Sequence, residues 1–132
     1  MDLFSVLWEW DNFDEPRRLQ AYFRLGDILE ALASPAEIQA DLYSGCPYCE
    51  LASDYRSSRE DYEWHCEALY PPSLMASLDR IQAALDVPCD CFDSQIFTGD
   101  SWSLIRSLAV KAKEEMKWEE ALTSREFLGC RP

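Results

Sequence analysis

At 132 residues the chain has the length of one domain, and its 48% hydrophobic and 13% aromatic content excludes a disordered tail. Its formal charge of −13 excludes nucleic acid and anionic lipid as direct partners, because a field of that sign repels polyanions. The acidity is uneven: residues 1 to 100 carry 20 acids against 6 bases, and residues 101 to 132 carry 5 against 6.

Residues 3 to 11 place Leu3, Phe4, Leu7 and Trp8 on one expected face of a short helix. Asp14 reads as an N-cap with Pro16 in the first turn, and Leu19, Tyr22, Phe23, Leu25, Ile28, Leu29 and Leu32 recur at helical spacing from Arg17 to Leu32. Ser34-Pro35-Ala36-Glu37 has the form of a capping box, predicting a helix to about Tyr43, with Gly45 placed to end it in a left-handed conformation. Ser57 or Ser58 is expected to cap a further helix running to Leu69, with Tyr62, Cys66 and Leu69 on one stripe, and Pro71-Pro72 stops it. Leu74, Leu78, Ile81 and Leu85 predict a helix from Pro72 to Asp86. Residues 88 to 100 form a connection, after which Asp100 or Ser101 caps a long helix that turns Trp102, Ile105, Leu108, Ala109, Ala112, Met116 and Leu122 inward, ahead of a loose tail. With no alternating run of strand length, the expectation is one compact all-α domain over residues 1 to 132, a bundle of five or six helices.

The segment from Asp41 to Tyr70 is the most mixed in the chain. It holds five of the six tyrosines (Tyr43, Tyr48, Tyr55, Tyr62 and Tyr70), the single histidine and three cysteines. Within it, Cys46-Pro47-Tyr48-Cys49 resembles the active-site motif of glutaredoxins. The resemblance implies a thiol oxidoreductase in which Cys46 is the nucleophile at a helix N-terminus and Cys49 resolves the mixed disulfide. In that family the tetrapeptide follows a strand near the N-terminus; here a helical segment precedes it. The same cysteines suit a different chemistry: Cys46 and Cys49, with His65 or Cys66, and with Cys89 and Cys91, are candidate ligands of a tetrahedral zinc that would stabilise an interaction module. A further alternative needs no cofactor at all, since unligated cysteines pack as small apolar residues. His65 beside Trp64 reads as a structural histidine.

The remaining pattern interleaves aromatic and acidic residues: Asp54-Tyr55, then Glu60-Asp61-Tyr62-Glu63-Trp64, then Glu67. Tyr and Trp supply rigid contact area, and surrounding carboxylates complement Arg and Lys on a partner. These eight residues are the candidate partner-binding set, and no catalytic set is assigned. No Gly-rich phosphate loop, serine elbow or HExxH pattern is present.

The first functional expectation is therefore an acidic inhibitor that covers a basic protein, in its most concrete form an immunity protein against a bacterial toxin such as a nuclease. An inhibitor of a nucleic-acid-processing enzyme, or a nucleic-acid mimic, would use the same physics. The N-terminus has no basic region followed by an apolar run, and no 18-residue apolar span occurs, so the expected setting is cytoplasmic and not in the membrane. The thiol enzyme and the zinc-stabilised module stand as alternatives.

Overall fold

A computed structural model describes residues 2–13, 15–43, 45–87, 95–125 and 128. Among them there are seven α-helices, two 3-10 turns and no strand, so the all-α expectation holds.

Helix α1 spans Leu3–Asn12, and the Asp2 carboxylate starts it by accepting the Ser5 N–H at 2.8 Å. Its buried stripe is Leu3, Leu7 and Trp10. Phe4 and Trp8 were expected on that same face, but each is about half exposed. A helix turns about 100° per residue, so with Leu3, Leu7 and Trp10 centred on the core the Phe4–Trp8 stripe lies roughly a third of the way round the helix, toward solvent.

Helix α2, Pro16–Ala33, buries every predicted position from Leu19 to Leu32, together with Ala21 and Gly26. Proline occupies its first turn as expected; the N-cap assigned to Asp14 lies outside the described residues, and Glu15 adjoins the helix without a side-chain cap. The capping box is not formed. Ser34 Oγ donates back to the Glu30 carbonyl at 2.9 Å, closing α2, and the following α3 is only Ala36–Gln39. The reason is Gln39, which is fully buried and donates Nε2 to the carbonyls of Ala31 and Leu32 at 3.2 and 2.9 Å. It satisfies the orphan end of α2 and folds the chain back at that point. Nor does Gly45 adopt a left-handed conformation, since no described glycine has a positive φ.

Helix α4 is continuous over Pro47–His65, so neither Ser57 nor Ser58 caps it. Its N-cap is Cys46, eleven residues before Ser57, and Ser58 is buried within it. A 3-10 turn, Glu67–Leu69, leads into α5, Pro72–Leu85, as the Leu74, Leu78, Ile81, Leu85 spacing requires. A second 3-10 turn, Ile96–Thr98, precedes α6, Asp100–Glu115, whose N-cap is Gly99; Asp100 and Ser101 lie inside its first turn. The predicted long C-terminal helix is broken. Lys117 takes φ 59, and α7 starts afresh at Trp118–Arg125.

Helix α2 packs along α4 and α6, α5 packs on the other side of α6, and α1 rests on α2 and α7. Where α2 and α7 meet, Trp118 lies so close to Gly26 that a Cβ there would stand 2.1 Å from the indole Cζ3. Trp118 is 1% exposed and stacks among Tyr22 and Phe23, with ring centroids at 6.1 and 5.8 Å. Gly26→Ala is therefore expected to destabilise the protein, despite the better helix propensity of alanine, by about 1–3 kcal/mol of overpacking. Urea denaturation measures it, and an unchanged or raised midpoint would show that α7 can shift to admit a methyl group.

Candidate partner-binding surface

The central helix is held from inside by its tyrosines. Leu51, Tyr55, Ser58 and Tyr62 form one stripe at spacings of four, three and four, and all are buried. Tyr55 OH donates to the Leu78 carbonyl at 2.8 Å, and Tyr62 OH donates to the Leu69 carbonyl. Tyr48 OH reaches the Leu85 carbonyl at 2.7 Å, and its ring meets Trp102 edge-on. This corrects the expected set: Tyr55 and Tyr62 are 0% exposed, and neither can anchor a partner without unfolding the helix around it.

The other members of the set lie toward solvent, in different states. Asp54 is half-buried and accepts the Tyr43 hydroxyl at 2.6 Å. Asp61 is paired with Arg24, and Glu63 accepts from Arg59 Nε at 2.9 Å and from Tyr70 OH at 3.0 Å. Glu60 and Glu67 are exposed and form no ion pair with a described residue. Trp64 is 83% exposed, the most exposed of the large apolar side chains described. The structure thus brings Glu60, Asp61 and Trp64 onto the outward side of α4, within about one turn of one another. A cleft of about 270 Å³ between α2 and α4 borders this side, with Arg24, Asp27, Tyr43, Asp54 and Ser58 in its walls.

The arginines decide the electrostatics. Arg18 pairs with Glu15 at 3.6 Å, Arg24 with Asp61, Arg56 with Asp86 at 2.9 Å, and Arg59 bridges Glu63 and Asp79. Burial acts to lower the Arg59 pKa, but hydrogen bonds to Asp79, Glu63 and Tyr70 override it and hold the guanidinium charged. Hydrogen bonds from Arg56 and then Gln82 lower the pKa of Asp86. Such exposed pairs add little stability, ~0–1 kcal/mol each. Each pair engages its arginine with a carboxylate, and Glu37, Asp41, Glu50, Glu60 and Glu67 remain exposed without basic partners among the described residues. Sequence reasoning missed the pairings of Arg24 with Asp61, Arg56 with Asp86 and Arg59 with Asp79, which join residues 20 to 37 positions apart. The burial of Tyr55 and Tyr62, by contrast, was signalled by their spacing from Leu51.

Cys46 is the N-cap of α4, and its Sγ accepts the Cys49 N–H at 3.4 Å. Cys66 is buried at the far end of the helix and donates to the Arg18 carbonyl at 3.3 Å; burial pushes its thiol up to about 12. The two ends of a 19-residue helix cannot ligate one ion together, since such a helix is roughly 28 Å long. This removes Cys66 from the expected zinc set, and His65 with it. Cys89 and Cys91 lie outside the described residues. Among the described residues no group of three or more His, Cys, Asp or Glu side chains is arranged to hold a metal. The strand that precedes the tetrapeptide in glutaredoxins has no counterpart among them either.

The chain matches no protein-family model, and no curated protein or solved structure is significantly similar to it.

Burial raises the pKa of the Tyr22, Tyr55 and Tyr62 hydroxyls above their ordinary value of 10.0, and Cys66 rises from 9.0. The stabilisation that depends on their protons is complete below pH 9. Above it the unfolded chain sheds protons that the folded chain keeps, first from Cys66 between 9 and about 12 and from the tyrosines upward of 10, so stability falls as pH rises. Denaturant midpoints measured across this range should decline steeply, and Tyr55→Phe or Tyr62→Phe should flatten the decline. An equal slope in both variants would mean that these hydroxyls are already accessible.

Proposed function

We propose that this protein is an acidic binding protein that inhibits a basic protein by covering its working surface, in the specific form of an immunity protein that neutralises a basic bacterial toxin such as a nuclease. The observation that carries the reading is the outward side of α4. A nearly fully exposed Trp64 stands there beside Glu60, which no described cation neutralises, while the neighbouring arginines are spent on internal pairs. Exposed tryptophan flanked by carboxylates fits an arginine-bearing surface, by cation–π contact at the ring and by long-range steering around it. The bundle behind it is rigidly tied, so little ordering entropy is lost when the face is covered. Described helices include none long and apolar enough to cross a membrane.

Two kinds of substitution separate the roles once a partner has been captured by co-purification. Trp64→Ala should speed dissociation tenfold or more, of the order expected for an anchor. Glu60→Lys should slow association, with the effect shrinking as salt shortens the Debye length below about 8 Å. If Lys111→Glu on α6 impairs binding and both α4 changes are silent, the interface lies elsewhere.

A second reading, a thiol oxidoreductase, draws support from one observation: the Cys46 sulfur occupies the N-cap of a long helix, where the backbone N–H groups favour a thiolate. In that chemistry Cys46 attacks a substrate disulfide, Cys49 displaces the reduced substrate, and the resulting protein disulfide is returned to two thiols by glutathione. Cys46→Ser should abolish glutathione-dependent reduction of a small mixed disulfide. Absence of turnover by the unmodified protein would dismiss the reading.

A further inference from the structure

Helix α1 carries two apolar stripes, and the core uses only one. Leu3, Leu7 and Trp10 are buried, whereas Phe4 and Trp8, one turn apart toward solvent, are 45% and 50% exposed. Large aromatic side chains displayed together on a surface helix cost solubility, and such patches mark contact sites. What surrounds them determines what can cover them. Glu9 and Asp11 belong to the same helix, Asp2 stands at its start, and no Lys or Arg occurs between residues 2 and 16, the cation that approaches from another element being Lys117, beside Asp2 at the start of the helix. Glu9 and Asp11 make no ion pair among the described residues, and Arg18, the nearest following cation but one, is drawn to Glu15 and over the Trp10 ring at 5.9 Å.

That charge excludes two occupants. A second copy of the chain would bring the same carboxylates face to face, at a net charge of −13 per copy. An anionic bilayer is repelled in the same way. We infer that the Phe4–Trp8 stripe is a docking surface for a basic amphipathic segment of another protein, whose apolar side chains lie on Phe4 while an arginine stacks on the Trp8 indole and meets Asp11, with Glu9 adding negative charge on the other flank of Trp8. The stripe belongs to a different helix from the α4 surface, and the inference shares with the proposal above only the sign of the partner's charge. Trp8 is the anchor, because tryptophan offers the best face for a guanidinium and the largest area to bury.

The test uses a short fluorescein-labelled helical peptide with a leucine face and an arginine face, titrated by fluorescence anisotropy into the full chain at physiological salt. Two control peptides replace arginine by glutamate or leucine by serine. Saturable binding is expected for the Leu/Arg peptide alone, weakened roughly tenfold or more by Phe4→Ala with Trp8→Ala and left within about twofold by Trp64→Ala. The charge variant Glu9→Lys with Asp11→Lys, which alters only exposed or half-exposed side chains, should weaken binding by a similar factor, and it decides the matter should the aromatic double variant melt early. Equal binding of the Leu/Arg peptide by wild type and both α1 variants would overturn the inference, as would equal binding of the serine control, which would reveal a purely electrostatic contact. Concentration-dependent dimerisation that the aromatic substitutions abolish would assign the stripe to a second copy instead, and Trp8-dependent binding to phosphatidylcholine vesicles would assign it to a lipid surface; either result refutes a basic protein segment as its occupant.

Discussion

The bundle depends on one close approach, that of Trp118 to Gly26. Without a side chain at residue 26 the indole lies directly on α2, and α7 can then turn back across the bundle. The arrangement has two costs. Glycine within a helix weakens it by about 1 kcal/mol relative to alanine, and the buried Trp118 Nε1 finds no hydrogen-bond partner among the described residues. Both are outweighed by the area of a fully buried tryptophan packed against Tyr22 and Phe23. The left-handed Lys117 immediately before it makes the reversal, and Tyr22 fixes that corner by donating its hydroxyl to the Met116 carbonyl.

The same device recurs at other helix ends. A helix leaves its last carbonyls unsatisfied, and glycine in a left-handed turn is a common remedy. Here remote side chains supply the donors: Tyr48 to Leu85, Tyr62 to Leu69, and Gln39 to Ala31 and Leu32. Each such bond also fixes the position of one element against another. This accounts for two of the five tyrosines between residues 41 and 70, Tyr48 and Tyr62, without any partner. Aromatic residues with a polar tip suit a protein interior that contains many helix ends just as they suit an interface.

Removing the tyrosines from the surface sharpens its chemistry. Outward-facing α4 retains carboxylates and Trp64, and α1 retains carboxylates, Phe4 and Trp8. Intramolecular ion pairs draw in Arg18, Arg24, Arg56 and Arg59. Those pairs stabilise weakly, and each engages one carboxylate, so the negative field comes from the carboxylates in excess of the cations. The exposed aromatic groups on the two helices thus lie on elements that carry more carboxylates than cations.

By itself the sequence determined the helical character of the chain, the buried positions of α2, α5 and α6, and the concentration of acid ahead of residue 101. Those properties follow from local periodicity and composition, which every residue carries with it. Tyr55 and Tyr62, expected at a partner surface, are buried because the helix starts early enough for them to repeat the register of Leu51. Only the tertiary structure decided which of two apolar stripes on α1 faces inward, since a ten-residue helix with Leu3, Phe4, Leu7, Trp8 and Trp10 satisfies either choice until α2 and α7 are placed. It also decided the break at Lys117, which exists because Trp118 must reach Gly26, and the arginine pairings, which join residues far apart in the chain. Local patterns state what each helix prefers to bury; which preference is met depends on the volume and charge of the neighbours that arrive.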